Sequence, residues 1–358
     1  MTFLERSAAG IGAPAAHLAA LGTAVGAVAL LVGVTLGRAA PACAALVASW
    51  LFFAGLAAGS VALAAAVRLA YGGWARPLLP LAEAATAFFP PAVALLVVAI
   101  AGLRVLLPGS AALAPAAARL LVSSVVLFAL GSRFTSAARA SGADAGRVRG
   151  AALAYVLAYV VALSVWAYDL VLRLSEGPLF TVVPAYYFLG AFLSGLAWVA
   201  LVAAARDVSG PDLRHDLGKL LFAFIVVWSY LLWALFLPTW YGDVPEEVAV
   251  LQRRWTGAWR PATLAVLFSV FAWPFWLLFS EKLKRRRGTL AAGAAAILLG
   301  LWGERFLLVL PSLHLPGGAA SVLVGMGVAL GVAGAFLLSL GARMGAVPRE
   351  DEAPPPAS

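Results

Sequence analysis

The sequence predicts an all-α polytopic membrane protein of about ten transmembrane helices, and three observations carry that prediction. First, 63% of the 358 residues are hydrophobic and only 11% are charged, with mean hydropathy +0.97, whereas a soluble domain is roughly 45–50% apolar and about 25% charged. Second, the apolar residues fall in successive runs of about 20, the length that crosses a bilayer as a helix. Third, these runs lack the period-two alternation of a membrane barrel. Hydrocarbon offers no partner for backbone N–H and C=O groups, so each run closes its own hydrogen bonds as a helix.

The first span is expected at 15–36, ending at Arg38. It exceeds the apolar core of a secretory signal, and Ala40-Pro41-Ala42 before Cys43 is a weak cleavage match, so it reads as a retained helix. The second span, 44–68, leads into a Tyr71–Arg76 turn. The third, 80–105, contains Glu83 and the pair Pro90-Pro91, where a kink is expected. The fourth, 112–131, is followed by a polar loop from Ser132 to Gly150, and the fifth, 151–173, holds Asp169 near its end. The sixth, 179–204, precedes a charged segment from Arg206 to Lys219; the seventh, 216–238, precedes the longest extramembrane segment, Thr239 to Arg260. The eighth, 261–280, is followed by a Lys/Arg cluster at 282–287, the ninth, 288–310, carries Glu304 and Arg305, and the tenth is 319–341. Residues 1–345 thus form a single transmembrane domain, and 346–358, rich in Pro and acids, are expected to be a disordered cytoplasmic tail.

A net charge of +9 raises the question of nucleic acid. Nearly every Lys and Arg lies between apolar runs rather than in a stripe with stacking aromatics, so the basic excess reports orientation and no nucleic-acid partner. The N-terminus, the exits of the even-numbered spans and the C-terminus carry more than twice as many Lys and Arg as the opposite face. The positive-inside rule then places both termini in the cytoplasm and the Thr239–Arg260 loop outside. Cys43 is the only cysteine, so this chain alone builds no disulfide framework, thiolate cage or iron–sulfur cluster. Of His17, His215 and His314, just one lies in an apolar run, which argues against a bis-histidine haem. No phosphate loop, nucleophile triad or zinc spacing is present, so the sequence assigns no catalytic residue and no metal ligand.

An ionised carboxyl in mid-bilayer costs at least about 2.5–3.5 kcal/mol, which makes each embedded acid a functional candidate until a partner is found. Glu83 lies about one turn inside the inner end of the third span, Asp169 about one turn from the outer end of the fifth, and Glu304 about two turns from the outer end of the ninth. Glu304 and Arg305 are neighbours on a helix, about 100° apart, so each is expected to need a partner elsewhere. An Arg305–Asp169 ion pair is one solution; a proton relay or a quinone pocket is another. Glu83 reads either as a functional acid or as a side chain snorkelling to the interface. Asp216 at the start of the seventh span is expected to cap it or act as its first-turn anion, beside His215 and Lys219. Trp240-Tyr241-Gly242-Asp243-Val244-Pro245-Glu246-Glu247 reads as a compact turn that sets three acids beside aromatics, a surface suited to docking another protein. Tyr155, Tyr159, Tyr168, Tyr186 and Tyr187 recur at helical spacing and are expected to pack the core.

The stretch His215-Asp216-Leu217-Gly218-Lys219-Leu220-Leu221-Phe222-Ala223-Phe224, continuing through Trp228-Ser229-Tyr230 to Glu247, resembles the polysulfide-reductase-type (NrfD-like) membrane family, and within it the second quinone-binding subunit of alternative complex III. Ser49-Trp50-Leu51-Phe52, Gly73-Trp74-Ala75-Arg76-Pro77 with Glu83 after it, and the Arg305 to Leu313 region add to the likeness, which spans roughly 45–315. The resemblance implies two four-helix bundles plus a peripheral helix pair, in a bacterial inner-membrane complex that oxidises menaquinol or ubiquinol and passes electrons to cytochrome c or an oxidase. It implies partners: a paralogous NrfD-like subunit, an iron–sulfur protein and a haem c protein, which hold the redox cofactors. In that setting Glu83, Asp216 and Lys219 form an inner polar cluster and Asp169, Glu304 and Arg305 an outer one, the expected ends of a proton path or the walls of a quinone pocket. A secondary transporter with buried acids as coupling sites, or a purely structural assembly subunit, are the competing readings.

Overall fold

The computed structural model describes residues 2–140, 144–175, 182–208, 210–313, 315 and 317–344. The tail at 346–358 and His314 lie outside the described residues. Among those described, the chain is helical throughout with no strand, and ten helices are long and apolar enough to cross a membrane. The protein is a multi-pass integral membrane protein.

A short amphipathic helix, α1 (Phe3–Ile11), begins with a capping box in which Thr2 and Glu5 satisfy each other's backbone amides. The ten spans follow: α2 (Ala13–Thr35), α3 (Ala39–Leu69), α4 (Gly73–Leu106), α5 (Leu113–Arg139), α6 (Ala145–Leu172), α7 (Val183–Arg206) and α8 (Pro211–Gly242). After a short helix outside the membrane, α9 (Pro245–Trp255), come α10 (Trp259–Phe279), α11 (Arg287–Ser312) and α12 (Ala319–Met344).

Helix α3 is the axis of the molecule, buried along most of its length. It packs with α4 and α6, and α5 closes that group against α6; on its other side it packs along α7, which gathers α8 and α11, with α10 against α11. Two four-helix groups therefore share the α3–α7 seam, and α2 pairs with α12 at the periphery. The seam is tight because it is built on glycine. A Cβ on Gly59 would strike the carbonyl of Ala191, and one on Gly195 would strike the backbone of Ser60. In lipid, where hydrophobicity does not drive helices together, such backbone approach supplies the dispersion contacts that do.

Most expected spans are found with longer ends. The fourth runs to Arg139 rather than 131, so most of the supposed Ser132–Gly150 loop is helix, and α6 starts at Ala145 behind an Asp144 cap. Helix α8 starts at Pro211 and runs to Gly242, well past the expected 216–238. The expected break in the third span lies just before the prolines: Ala85–Phe88 is a 3₁₀ turn and a new α-helical segment opens at Phe89 with Pro90 and Pro91 in its first turn. Prolines lack the N–H that an uninterrupted helix would use there, and the tighter turn absorbs the loss. Buried tyrosines tie the groups together, as expected: Tyr155 donates to the Ala58 carbonyl, Tyr159 to Phe188 and Tyr187 to Leu51. Tyr168 is the exception, exposed at the end of α6.

Candidate functional site

The ionisable residues inside the spans gather in three places. At the end of the molecule that carries α1 and the tip of α12, Glu83 is buried and held by two arginines: Arg68 Nη2 donates to Oε1 at 2.5 Å and Arg139 Nε to Oε2 at 3.1 Å. Glu83 is therefore neither snorkelling into water nor alone.

At the opposite end, Asp169 is fully buried and also held by two arginines. Arg119 grips both carboxylate oxygens, at 3.0 and 2.6 Å, and Arg173, one turn on, donates to Oδ1 at 3.0 Å. The expected Arg305–Asp169 pair does not form. Asp169 lies in a π-helical turn, Tyr168–Leu172, closed by the Arg173 amide on the Tyr168 carbonyl. Widened turns of this kind re-aim side chains inside an otherwise regular helix.

The third place is the second helical group. Glu304 and Arg305 on α11 are both almost completely buried, and they contact each other, Arg305 Nη1 lying 2.7 Å from Glu304 Oε2. This corrects the expectation that adjacent positions need separate partners: both side chains bend across the 100° between them. The bend spoils hydrogen-bond geometry, so among the described residues neither Glu304 oxygen accepts a well-formed hydrogen bond, although the Tyr186 hydroxyl lies beside the carboxylate, and Arg305 Nε and Nη1 donate none. Arg305 also lies over the Tyr187 ring, 4.5 Å from its centroid, a cation–π contact that partly replaces water. Gly190 makes room for it, since a Cβ there would sit 2.8 Å from Arg305 Nη2.

Glu304 borders a cavity of about 440 Å³, within the range of small-molecule sites. Its walls come from α6, α7, α8, α9, α10 and α11; they are apolar apart from Glu304, Arg254, Tyr186, Trp228 and a few hydroxyls. Trp228 is buried, lies 5.7 Å from Tyr186 ring to ring, and its indole Nε1 has no hydrogen-bond partner among the described residues. Helix α8 packs on the inner half of α10 and parts from the outer half, Trp259–Leu267. The half-exposed Trp233 stands at the resulting gap. The parting coincides with a second π-helical turn, Phe268–Ala272, just before Pro274. A proline cannot donate to the carbonyl four residues earlier, and a widened turn accommodates it.

Helix α9 roofs the cavity. Arg254 pins it there, donating to the carbonyls of Leu307 and Leu308 at the end of α11 at 2.9 and 3.1 Å and to Val250 of its own helix. Burial, with Arg253 beside it, pushes the Arg254 pKa down to about 10, so it stays cationic at neutral pH and its charge faces the cavity that Glu304 lines. In sequence Arg254 is one more loop arginine, and nothing short of the docking of α9 marks it out.

The remaining predicted positions lie at the surface. Asp216 does not cap α8: the helix starts five residues earlier with Gly210 at its N-cap, and Asp216 instead pairs with Lys219 at 3.0 Å on an exposed face. Asp212 is the first-turn acid, and it meets Arg285 across the surface. Inner cluster and surface pair are thus separate, because Glu83 has its own arginines. Trp240, Tyr241, Asp243 and Glu246 are exposed and Glu247 half-buried. They do not form one compact turn: Trp240 and Tyr241 end α8, Asp243 turns the chain with φ 48°, and Glu246 and Glu247 open α9. Among the described residues no three His, Cys, Asp or Glu side chains gather where they could hold a metal ion. No protein-family model matches the chain, and no curated protein matches it.

Proposed function

We propose that this chain is the membrane subunit of a quinol-oxidising respiratory complex of the alternative complex III type, and that the cavity beside Glu304 is where it meets quinol. One observation carries the proposal: an apolar chamber of about 440 Å³ with a gap between α8 and α10, containing one buried carboxylate that, among the described residues, accepts no well-formed hydrogen bond and has the Tyr186 hydroxyl beside it. A quinol presents a flat apolar ring, two hydroxyl groups and a hydrocarbon tail. The ring fits beside Trp228 and Tyr186, the tail leaves through the gap toward lipid, and a hydroxyl donates to Glu304. Oxidation releases two electrons and two protons; the electrons pass to haem or iron–sulfur groups of partner subunits, and Glu304 accepts a proton within hydrogen-bond reach. Arg305 lies against the carboxylate and Arg254 lines the same cavity, so positive charge stands beside the group that takes the proton. Glu83 and Asp169, each saturated by two arginines, serve the fold rather than the proton. The exposed Trp240, Tyr241, Asp243 and Glu246 offer the docking surface for an extramembrane partner.

The test is made in the assembled complex. Glu304→Gln is expected to lower quinol turnover at least about tenfold, the contribution of one positioned proton acceptor being about 10²–10⁴-fold, while subunit composition stays normal. Val266→Trp, which fills the cavity without touching a charge, is expected to raise KM for quinol. Unchanged turnover and unchanged KM in both variants would overturn the assignment.

A further inference from the structure

The end of the molecule opposite the cavity carries a second feature, independent of any role in quinol chemistry. Four helix ends meet there: the last turn of α3 with Arg68, the first turns of α4 with Glu83, the last turn of α5 with Arg139 and the last turn of α12 with Arg343. Helix α12 packs against α4, which brings Arg343 within electrostatic reach of both Glu83 and Arg139. Two guanidinium groups therefore hold one carboxylate and take both of its oxygens, and a third lies within electrostatic reach of it.

Among the described residues the surplus of positive charge is not relieved. Arg68 Nε is buried without a partner, Arg139 uses only Nε on Glu83, and Arg343 makes no hydrogen bond or ion pair among the described residues. The other acids of this end among the described residues are engaged elsewhere: Glu5 caps α1, Asp144 caps α6, Asp207 meets Arg287, Asp212 and Glu281 meet Arg285, and Asp216 meets Lys219. Clustered arginines facing a shortage of carboxylates bind a planar or tetrahedral oxyanion through paired N–H donors. The cluster sits where the spans end, so an anion there would lie at headgroup depth.

We propose that Arg68, Arg139 and Arg343 form a site for the phosphate of an anionic phospholipid, which supplies the counter-charge that Glu83 alone does not. Basic pockets between spans at this depth are the usual seat of such headgroups. Free phosphate shares the chemistry, and the acidic run Glu350-Asp351-Glu352, shortly after Arg343 in sequence, is the rival within the chain.

The experiment purifies the full chain in its complex in mild detergent, strips lipid, and adds back phosphatidylglycerol, phosphatidylcholine or millimolar inorganic phosphate. Retained lipid per protein is read by mass spectrometry, and stability by thermal unfolding. Phosphatidylglycerol is expected to be retained and to raise Tm, with phosphatidylcholine and phosphate doing neither. Arg139→Gln with Arg343→Gln is expected to lower phosphatidylglycerol retention at least about tenfold, as loss of two charge-assisted donors implies. Arg343→Gln alone breaks no ion pair and keeps the test open should the double variant misfold. Glu83→Gln, which removes the competing carboxylate, is expected to raise retention, the opposite of what a purely structural role gives. Equal retention of the two lipids, no loss in either arginine variant, or stabilisation by phosphate alone would overturn the proposal. So would phosphatidylglycerol retention that appears only after residues 346–358 are deleted, because the acidic run would then be the native occupant.

Discussion

Asp169 and Glu304 are both buried acids near the same end of the bundle, yet their neighbours make them opposites. Two arginines deliver hydrogen bonds to both oxygens of Asp169, so its lone pairs are engaged in holding α5 to α6. Removing the charge strands Arg173 against a neutral amide. Asp169→Asn is expected to cost on the order of 3 kcal/mol, as when one partner of a buried pair is deleted, readable as a lower midpoint in detergent unfolding with the quinol KM unchanged. Glu304→Gln is expected to do the reverse, changing turnover more than stability. Arg254 belongs to a third kind, a cation that braces backbone: Arg254→Met keeps the stem and loses the donors to Leu307 and Leu308. Hydrogen exchange across α9 is expected to quicken in that variant, with α11 protected as before. The identities of the ionisable residues were legible in the sequence, and their depth nearly so. Their partners were not, because Arg119 and Asp169 are fifty positions apart and meet only once α5 and α6 are packed. The Glu304–Arg305 contact was missed for a different reason: ideal helix spacing forbids it, and long flexible side chains evade the ideal.

At the scale of the element, the spans themselves are the part that hydropathy reveals, since each must satisfy its backbone within itself. Their ends are less legible. Arg133 and Arg139 look like loop residues by charge, but a helix that leaves the membrane continues for two turns in the interface when its charges find partners there, as Arg139 does in Glu83. The π-helical turns left no local signature in α6, whereas Pro274 could have signalled the one in α10. At Gly59 and Gly195 the absence of a side chain permits close approach with no room to spare. Gly195→Val is expected to force α3 and α7 apart, reducing the yield of folded protein sharply in mild detergent, whereas Gly150→Val, where nothing lies near a Cβ, is expected to leave it intact.

For the whole molecule, an even number of spans puts α1 and the end of α12 on one face and α9 on the other. Labelling from either side checks this: a cysteine placed at Arg6 is expected to react with an impermeant reagent from the side opposite to one placed at Gln252. Labelling of both from the same side would mean that a span does not cross. The cavity, the roof over it and the arginine-rich cluster all depend on which spans touch, and that is the level at which hydropathy is silent. Helices α2 and α12 are the clearest instance, for nothing in either stretch says that the two belong together, yet Gly26 and Gly331 meet backbone to backbone. Their union has a consequence in time. Helix α2 leaves the ribosome long before α12 and finds its mate only when α12 has been threaded through, so during synthesis α2 waits in the bilayer with most of its surface uncovered. A chain cut short by a premature stop would leave it orphaned, a ready mark for quality-control proteases.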